Sequence, residues 1–444
     1  MTFLCYNSGM WEKFKEEMYF VGAQYFAFWA KIILKKWQPK IVLVTGSAGK
    51  TTLFCLLEAQ MKEKADFAYH ANSAYGVPFD ILGLKRETFS LIEWLKLFLL
   101  APWKIFKKNE RKEIYIVEAD ADRPGEGEFI AKLLKPAWVL ITNVHQTHAL
   151  RYDKEVERKK YRVVIEAIAD EFAQFARYAK EAILINGDCQ ILVQAVEKLQ
   201  LNDQVANKTF FLQEADYLNE YNLNTNGSVF VINKQRYELP YLLPREVALS
   251  LAMVQIVVKE HAIRLDLSYK NLSLPSGRST LFKGIKNTTL IDSSYNANYG
   301  SMKAILDLFD AYPVNANKWL VLGQMLEQGR EARKEHEKIA ALVSNMKTID
   351  RIFLMGENNE KWVKPLLLRF RDEQQVIFFR EPSELLETIK QELRGGEVVL
   401  LKGAPMMEGM VEGLLADANL ASSLVRREEV FEKQRREIYG PKKS

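Results

Sequence analysis

The chain has 444 residues, 48% of them apolar and 27% charged, with a formal net charge of +5. Such a length exceeds one ordinary hydrophobic core and calls for two or three domains, and the composition is that of a soluble globular protein. A charge so small for this length gives neither a nucleic-acid footprint nor an acidic tail, so no nucleic-acid partner is expected.

The first 38 residues read as an aromatic helical arm. Residues 18–34 (MYFVGAQYFAFWAKIIL) and, further on, 89–106 (FSLIEWLKLFLLAPWKIF) are rich in large apolar side chains. Gln24 and Lys31 interrupt the first; Glu93, Lys96 and Pro102 interrupt the second, so neither offers a clean run that could span a bilayer. Helices packed on the flank of the molecule are the expectation. The alternative is a peripheral helix on the inner membrane face, with Trp and Lys at its rim. The N-terminus shows charges throughout and no small-residue cleavage site, so no signal peptide is read there. Cys5, Cys55 and Cys189 have no paired or metal-like spacing, which points to free thiols in a reducing, cytoplasmic setting.

Residues 41–52, IVLVTGSAGKTT, are an apolar β-branched run, a glycine-punctuated turn, and Lys-Thr-Thr opening a helix. That is the pattern of a phosphate-binding loop. Gly46 and Gly49 let the backbone curl so that N–H groups face phosphate oxygens, Ser47 among them. The start of the helix, Lys50 to Thr52, adds its positive end. Lys50 reaches the terminal phosphates and the Thr51 hydroxyl holds Mg2+ in this reading. ATP and Mg2+ are therefore the expected cofactors.

Strands at 41–45, 113–118, 138–142 and 182–186 alternate with helices, which predicts a parallel sheet with helices on its faces. Beyond about 205 the texture changes to short strands at 208–213 and 228–239, with a turn at Asn226-Gly227, and a helix at 244–264. A second α/β unit begins near Gly277. Its strands are expected at 288–292, 318–322, 351–355, 375–379 and 397–402, and its helices at 299–311, 330–346 and 382–394. The predicted domains are 1–38, 39–270 and 271–430, followed by a basic tail at 431–444, frayed over 434–444.

Acidic residues at a strand end beside a phosphate loop suit a Mg2+ ligand. In IVEADADRPG (116–125) Glu118 is the first choice, with Asp120 and Asp122 nearby. KPAWVLITNVHQTHAL (135–150) delivers Asn143, His145 and His148 at another strand end. IDSSYNANYGSM (291–302), LVLGQMLEQGREARKEHEKI (320–339) and VVLLKGAPMMEGM (398–410) follow. Taken singly, turn chemistry explains each of their Gly and Asn residues.

Taken together and in this order, TGSAGKTT, NSAYGVPFDILGL (72–84), EADADRPGE, TNVHQTHAL, LINGD (184–188), GRS (277–279), DSSYNANYGSM, LGQMLEQG with His336, and LKG (401–403) resemble the Mur ligase family of ATP-dependent amide ligases. The resemblance covers about residues 38 to 415. It implies a central P-loop ATPase-like domain with a parallel sheet and a C-terminal Rossmann-like α/β domain. It also implies a carboxylate–amine ligase acting through an acyl phosphate, adding D-Ala-D-Ala or a similar amine to a peptidoglycan precursor. The partners so implied are a small-molecule carboxylate and an amino acid or dipeptide amine, and a monomer is expected. By the same resemblance Glu118, His148 and Thr51 bind metal, and Asn143 lies by the reacting phosphate. Asn296 and Asn298 approach the adenine, and Arg278 and Asp292 the ribose or phosphates. His336 and Lys402 line the cleft where the amine arrives, and Asn72 to Gly76, Ser73 among them, contact the carboxylate substrate.

Two departures from the family stand out. Only about 38 residues precede the phosphate-loop strand, where relatives carry a domain for the uridine nucleotide; a lipid-linked or other carboxylate would suit that difference. The family's carbamylated lysine falls at Phe172. Either Lys159 or Lys160 replaces it, or the second metal site is absent or differently built. Smaller departures are Ser293 and Gln324 at acidic positions, Ala404-Pro405, and Pro244-Arg245-Glu246 in place of a His-Asn pair. These smaller departures suggest altered specificity or weakened catalysis, and the loss at Phe172 suggests a non-catalytic nucleotide-binding scaffold as the alternative.

Overall fold

A computed structural model describes residues 4–69, 71–87, 90–107, 110–404 and 406–439, with side chains from Met18 onward except Val430. Pro405, the Cys5 thiol and the tail beyond Tyr439 lie outside the described residues. Two compact units emerge. One comprises the chain up to Val144 with Glu166–Leu212; the other comprises His145–Ile165 with the chain from Gln213 onward.

In the first unit β1 (Lys40–Thr45), β2 (Ala65–Ala68), β3 (Ile114–Glu118), β4 (Trp138–Ile141), β5 (Ala182–Asn186) and β6 (Thr209–Leu212) form one sheet. The order is β2-β3-β1-β4-β5-β6 and every pairing is parallel. β1 is apolar from Ile41 to Val44 because both of its faces are covered. β2 was not anticipated: ADFA has no β-branched residue and only its end positions are buried. The strand expected at 208–213 is β6, an edge of this sheet with Phe210 and Phe211 exposed, so the first unit runs past the change of texture at 205. β2 and β3 lie on one side of β1 and β4 on the other. Sheets of this kind hold ligands outside the carboxyl ends of the strands where the order reverses.

The aromatic arm is one continuous helix, Leu4–Trp37. It packs on helices Gly76–Leu82 and Leu91–Lys104 through aromatic contacts: the Phe26 ring centroid lies 4.7 Å from Phe79 and 4.8 Å from Phe98. Pro102 sits inside the second of these helices and has no N–H to offer Phe98 four residues back. The Tyr25 hydroxyl donates to that Phe98 carbonyl instead, at 2.7 Å. No helix among the described residues is long and apolar enough to cross a membrane.

The second unit holds two sheets. β7 (Leu218–Leu223), β8 (Ser228–Ile232) and β9 (Gln235–Leu239) form an antiparallel meander. The stretch expected at 228–239 is a hairpin turning at Asn233 and Lys234, whose φ angles of 49° and 66° suit the tight turn that matches strand twist. The larger sheet comprises β10 (Thr280–Lys283), β11 (Thr289–Ser293), β12 (Lys318–Leu322), β13 (Ile349–Met355), β14 (Val376–Phe379) and β15 (Val398–Lys402). Its order is β10-β11-β15-β12-β13-β14, parallel except for β10. Side chains alternate between two cores. Leu320, Leu322 and Leu400 face Phe309, Ile339 and Val343 on one side. Trp319, Val321, Val399 and Leu401 face Leu385, Ile389 and Met410 on the other. The fold is thus α/β, with a P-loop ATPase-like parallel sheet and a Rossmann-like C-terminal sheet.

Candidate active site

In the first unit the loop after β1 is built by its glycines and its neighbours. Gly46 has φ +129°, and a Cβ there would lie 2.2 Å from Thr142 Oγ1 and 2.9 Å from the Asn143 carbonyl oxygen. Only glycine tolerates both the angle and the approach. Gly49, at φ +80°, precedes helix Lys50–Met61, and a Cβ there would meet nothing within 4 Å. The loop is held from β4. Asn143 Oδ1 accepts the Ala48 N–H at 2.9 Å while Asn143 Nδ2 donates to the Ala48 carbonyl at 3.0 Å. The Ser47 N–H donates to the Asn143 carbonyl at 2.9 Å, and Thr142 Oγ1 donates to the Ala48 carbonyl at 2.6 Å.

Four polar side chains converge at the start of the helix. The Lys50 ammonium donates to the Gly46 carbonyl at 2.6 Å and lies 2.7 Å from Asp120 Oδ2. Burial works against that charge, but Asp120 and Glu118 outweigh it and hold the Lys50 pKa above the usual lysine value. The Thr51 hydroxyl donates to Glu118 Oε2 at 2.9 Å. Thr52 follows on the same half-buried first turn. The segment after Asn72 is tied down nearby: the Asp120 N–H donates to the Asn72 carbonyl, and the Ala74 N–H to Glu126 Oε1 at 2.8 Å. Ser73 Oγ accepts the Gly76 N–H at 3.1 Å. Tyr19, from the N-terminal helix, donates to the same Glu126 oxygen at 2.7 Å and lies beneath the Arg123 guanidinium.

The position expected to carry the family lysine is a core position. Phe172 is fully buried beside Phe175. The preceding Glu171 accepts N–H groups of Gly125, Gly127 and Glu128 at 2.9, 2.8 and 3.3 Å, closing the start of helix Glu126–Leu134.

In the second unit a further set gathers at the ends of β11 and β15. Lys402 is buried; its Nζ donates to the Asn296 carbonyl at 2.6 Å and lies 3.4 Å from Ser293 Oγ. Burial, helped by Arg278 and opposed by Asp292, lowers its pKa to about 7. Asp292 is fully buried with its pKa raised by desolvation, and accepts the Ser294 N–H. Arg278 stacks 4.0 Å over the Tyr295 ring. Asn296 is exposed, whereas Asn298 caps helix Tyr299–Ala311 in a reciprocal pair with Ser301.

Two histidines of the second unit, His336 and His148, fasten one loop. His336 Nε2 accepts the Met325 N–H at 3.1 Å and its Nδ1 faces the Ala332 carbonyl at 2.6 Å, so a neutral ring satisfies both. His148 Nδ1 lies 2.5 Å from Glu327 Oε2, and that bond holds the Glu327 carboxyl below the usual range. His145 is half-buried against Gly300, with its pKa lowered to about 4 by desolvation and then by Lys338. Lys160 pairs with Glu155 at 3.4 Å. The glycines of LGQ and LKG have a reason beyond turn chemistry: a Cβ on Gly403 would lie 2.5 Å from the Gly323 backbone.

Four participants lack a plain signature in the sequence. Asp120 as the partner of Lys50 is one of three acids in EADAD, and only the register of β3 picks it out. Thr142 could have been found as a hydroxyl at a strand end; Glu171 and Glu327 act from distant segments.

Family models match both parts of the chain: the Mur ligase middle domain at residues 44–245 and the Mur ligase, glutamate ligase domain at residues 277–405. The UDP-N-acetylmuramoyl-tripeptide–D-alanyl-D-alanine ligase of Bacillus subtilis is 24% identical over 394 residues, covering 85% of this chain and 76% of that protein. The ligase of the same name from Borreliella burgdorferi is 23% identical over 399 residues, 84% and 74% of the two chains. Among solved structures, the MurF ligase of Thermotoga maritima in complex with ADP has a TM-score of 0.66 at 20% identity, covering 88% of this chain and 83% of that one. MurF from Acinetobacter baumannii gives 0.65 at 17%, covering 90% and 80%. At those identities the structures establish the fold, while the two family models span most of the sequence in the family's own order. The chain belongs to the Mur ligase family.

Proposed function

We propose that the protein is an ATP-dependent ligase that joins D-Ala-D-Ala, or a similar amine, to the terminal carboxylate of a peptidoglycan precursor. The observation that carries this reading is the meeting of Lys50, Thr51, Glu118 and Asp120 at a glycine turn that Asn143 and Thr142 hold from the next strand. The groups present suit a nucleoside triphosphate with Mg2+. Gly49 leaves open space on the loop, and Thr51 Oγ1 and Glu118 Oε2 are the hard oxygen donors that Mg2+ takes. Mg2+ held there would neutralise phosphate charge, with His148 as the further ligand the family resemblance suggests.

In the proposed reaction a carboxylate oxygen takes the γ-phosphoryl group of ATP, giving an acyl phosphate and ADP. The amine then attacks the acyl carbon and expels phosphate, leaving an amide. The chain's own part is positioning and charge neutralisation. Lys50 offers a cation already oriented by Asp120, Gly46 to Thr52 offer backbone donors and the helix start, and Asn143 fixes the loop. From the second unit, Arg278 and Asp292 are proposed for ribose or phosphates and Asn296 and Asn298 for the adenine. His336 and Lys402 are proposed for the side of the incoming amine, His336 by shaping the Met325 loop. The relatives' printed names favour the precursor and the dipeptide as substrates.

The test is phosphate release from ATP with UDP-MurNAc-tripeptide and D-alanyl-D-alanine, added singly and together. Release only with both, an amide in the mass spectrum, and loss of release in Lys50→Ala are expected. Turnover retained in Lys50→Ala would remove the phosphate loop from the mechanism. Phe172 favours a second reading, a nucleotide-binding relative without this activity or with another carboxylate, such as a lipid-linked one. ATP binding without release in the presence of both compounds is its signature.

A further inference from the structure

Helix Leu91–Lys104 is apolar on two faces. Its inner face, Trp94, Leu97, Phe98 and Ala101, packs on the N-terminal helix, with Trp94 and Phe98 against Phe26. Its outer face is left to solvent: Leu91, Leu95, Leu99 and Trp103, at four-residue spacing, are 82%, 64%, 72% and 73% exposed, and Ile92 and Phe106 flank them at 67% and 73%. Soluble proteins seldom leave so continuous an apolar ridge uncovered. The charge around it is predominantly positive. Residues 85–107 carry Lys85, Arg86, Lys96, Lys104 and Lys107 against Glu87 and Glu93. The adjoining helix adds Lys31, Lys35 and Lys36 with no carboxylate from Met18 to Trp37. Eight basic residues against two acidic ones make a formal +6, more than the +5 of the whole chain.

We propose that this face docks on an anionic lipid bilayer, with the helix lying in the plane of the interface. Fourteen residues at about 1.5 Å each reach about 21 Å, short of the roughly 30 Å hydrocarbon core, so the helix cannot span it. Lying flat, it sinks Leu91, Leu95, Leu99 and Phe106 into the acyl boundary, while Trp103 and the lysines sit at headgroup level. Charge selects lipid over a second copy of the chain: two such faces brought together would juxtapose their cations, whereas phosphate headgroups complement them.

Flotation of the full chain with vesicles tests this. Binding is expected with vesicles of phosphatidylcholine mixed with phosphatidylglycerol, little with phosphatidylcholine alone, and a decline with added salt. Leu95→Glu/Leu99→Glu should weaken vesicle partitioning by about tenfold or more. Lys96→Glu/Lys107→Glu should do so by about 30-fold or more, since each charge near the surface counts and both are reversed. All four sites are exposed, so an unchanged melting temperature shows that the variants fold. The proposal is overturned if the protein stays in the aqueous fraction with mixed vesicles, if both variants float like the parent, or if phosphatidylcholine alone binds equally well. It is also overturned if the chain is a dimer in lipid-free buffer that Leu95→Glu/Leu99→Glu splits.

Discussion

Replacing Asn143 by alanine separates a residue that shapes the phosphate loop from one that acts only on the transferred phosphate. Its side chain makes two hydrogen bonds to a single loop residue, Ala48, one in each direction, at 2.9 and 3.0 Å. Each is worth about 1 kcal/mol net, so the loop's bound-like shape loses about 2 kcal/mol relative to slack alternatives. At about 1.4 kcal/mol per decade that is roughly a 30-fold loss in nucleotide affinity. The Ser47 N–H to Asn143 carbonyl bond is main-chain and survives, so the loop loosens rather than unfolds. Asn143→Asp should be at least as damaging, because a carboxylate can accept from the Ala48 N–H but sets an oxygen against the Ala48 carbonyl. Fluorescent ADP titration is the assay, since ADP has no γ-phosphate. If Asn143→Ala binds ADP as the parent does while losing phosphate release, the side chain acts at the reacting phosphate and the loop-shaping argument fails.

Two further outcomes follow from buried groups in the second unit. The Lys402 pKa falls from 10.5 to about 7 on folding, so between those values the unfolded chain binds the extra proton and stability should rise with pH. Denaturant midpoints at about pH 7 and about pH 10 should differ less in Lys402→Met than in the parent, and an identical pH dependence would place Lys402 in solvent. Gly300→Ala would put a Cβ within 2.1 Å of the half-buried His145 ring, an overpacking that costs about 1–3 kcal/mol and lowers the melting temperature. A variant as stable as the parent would mean that the ring moves freely.

The strand–turn–helix of residues 41–52 was legible because local chemistry dictates it. Gly46, Gly49, Lys50 and Thr51 stand at fixed spacings, and they join β1 to the helix Lys50–Met61. Both α/β sheets were legible through their apolar strands. Strands without a continuous apolar run were not: Ala65–Ala68, Leu218–Leu223 and Thr280–Lys283 are defined by pairing with their neighbours. Asn298 and His336 illustrate the limit for sites. An Asn in a turn and a His on a helix look available in sequence, yet one caps a helix and the other holds the Met325 N–H.

The phosphate loop, the α/β class and the family's motifs are written in short stretches of chain, because each depends on residues adjacent to one another. Which acid meets Lys50 depends on the fold: Glu118 closes β3 and takes the Thr51 hydroxyl, while Asp120, two residues beyond the strand, meets the ammonium. Tertiary structure also decided that Phe172 lies in the core beside a capping Glu171, and that one apolar helix face remains uncovered after its other face is packed. Each of those outcomes depends on which segment arrives from tens of residues away, and no local pattern encodes that.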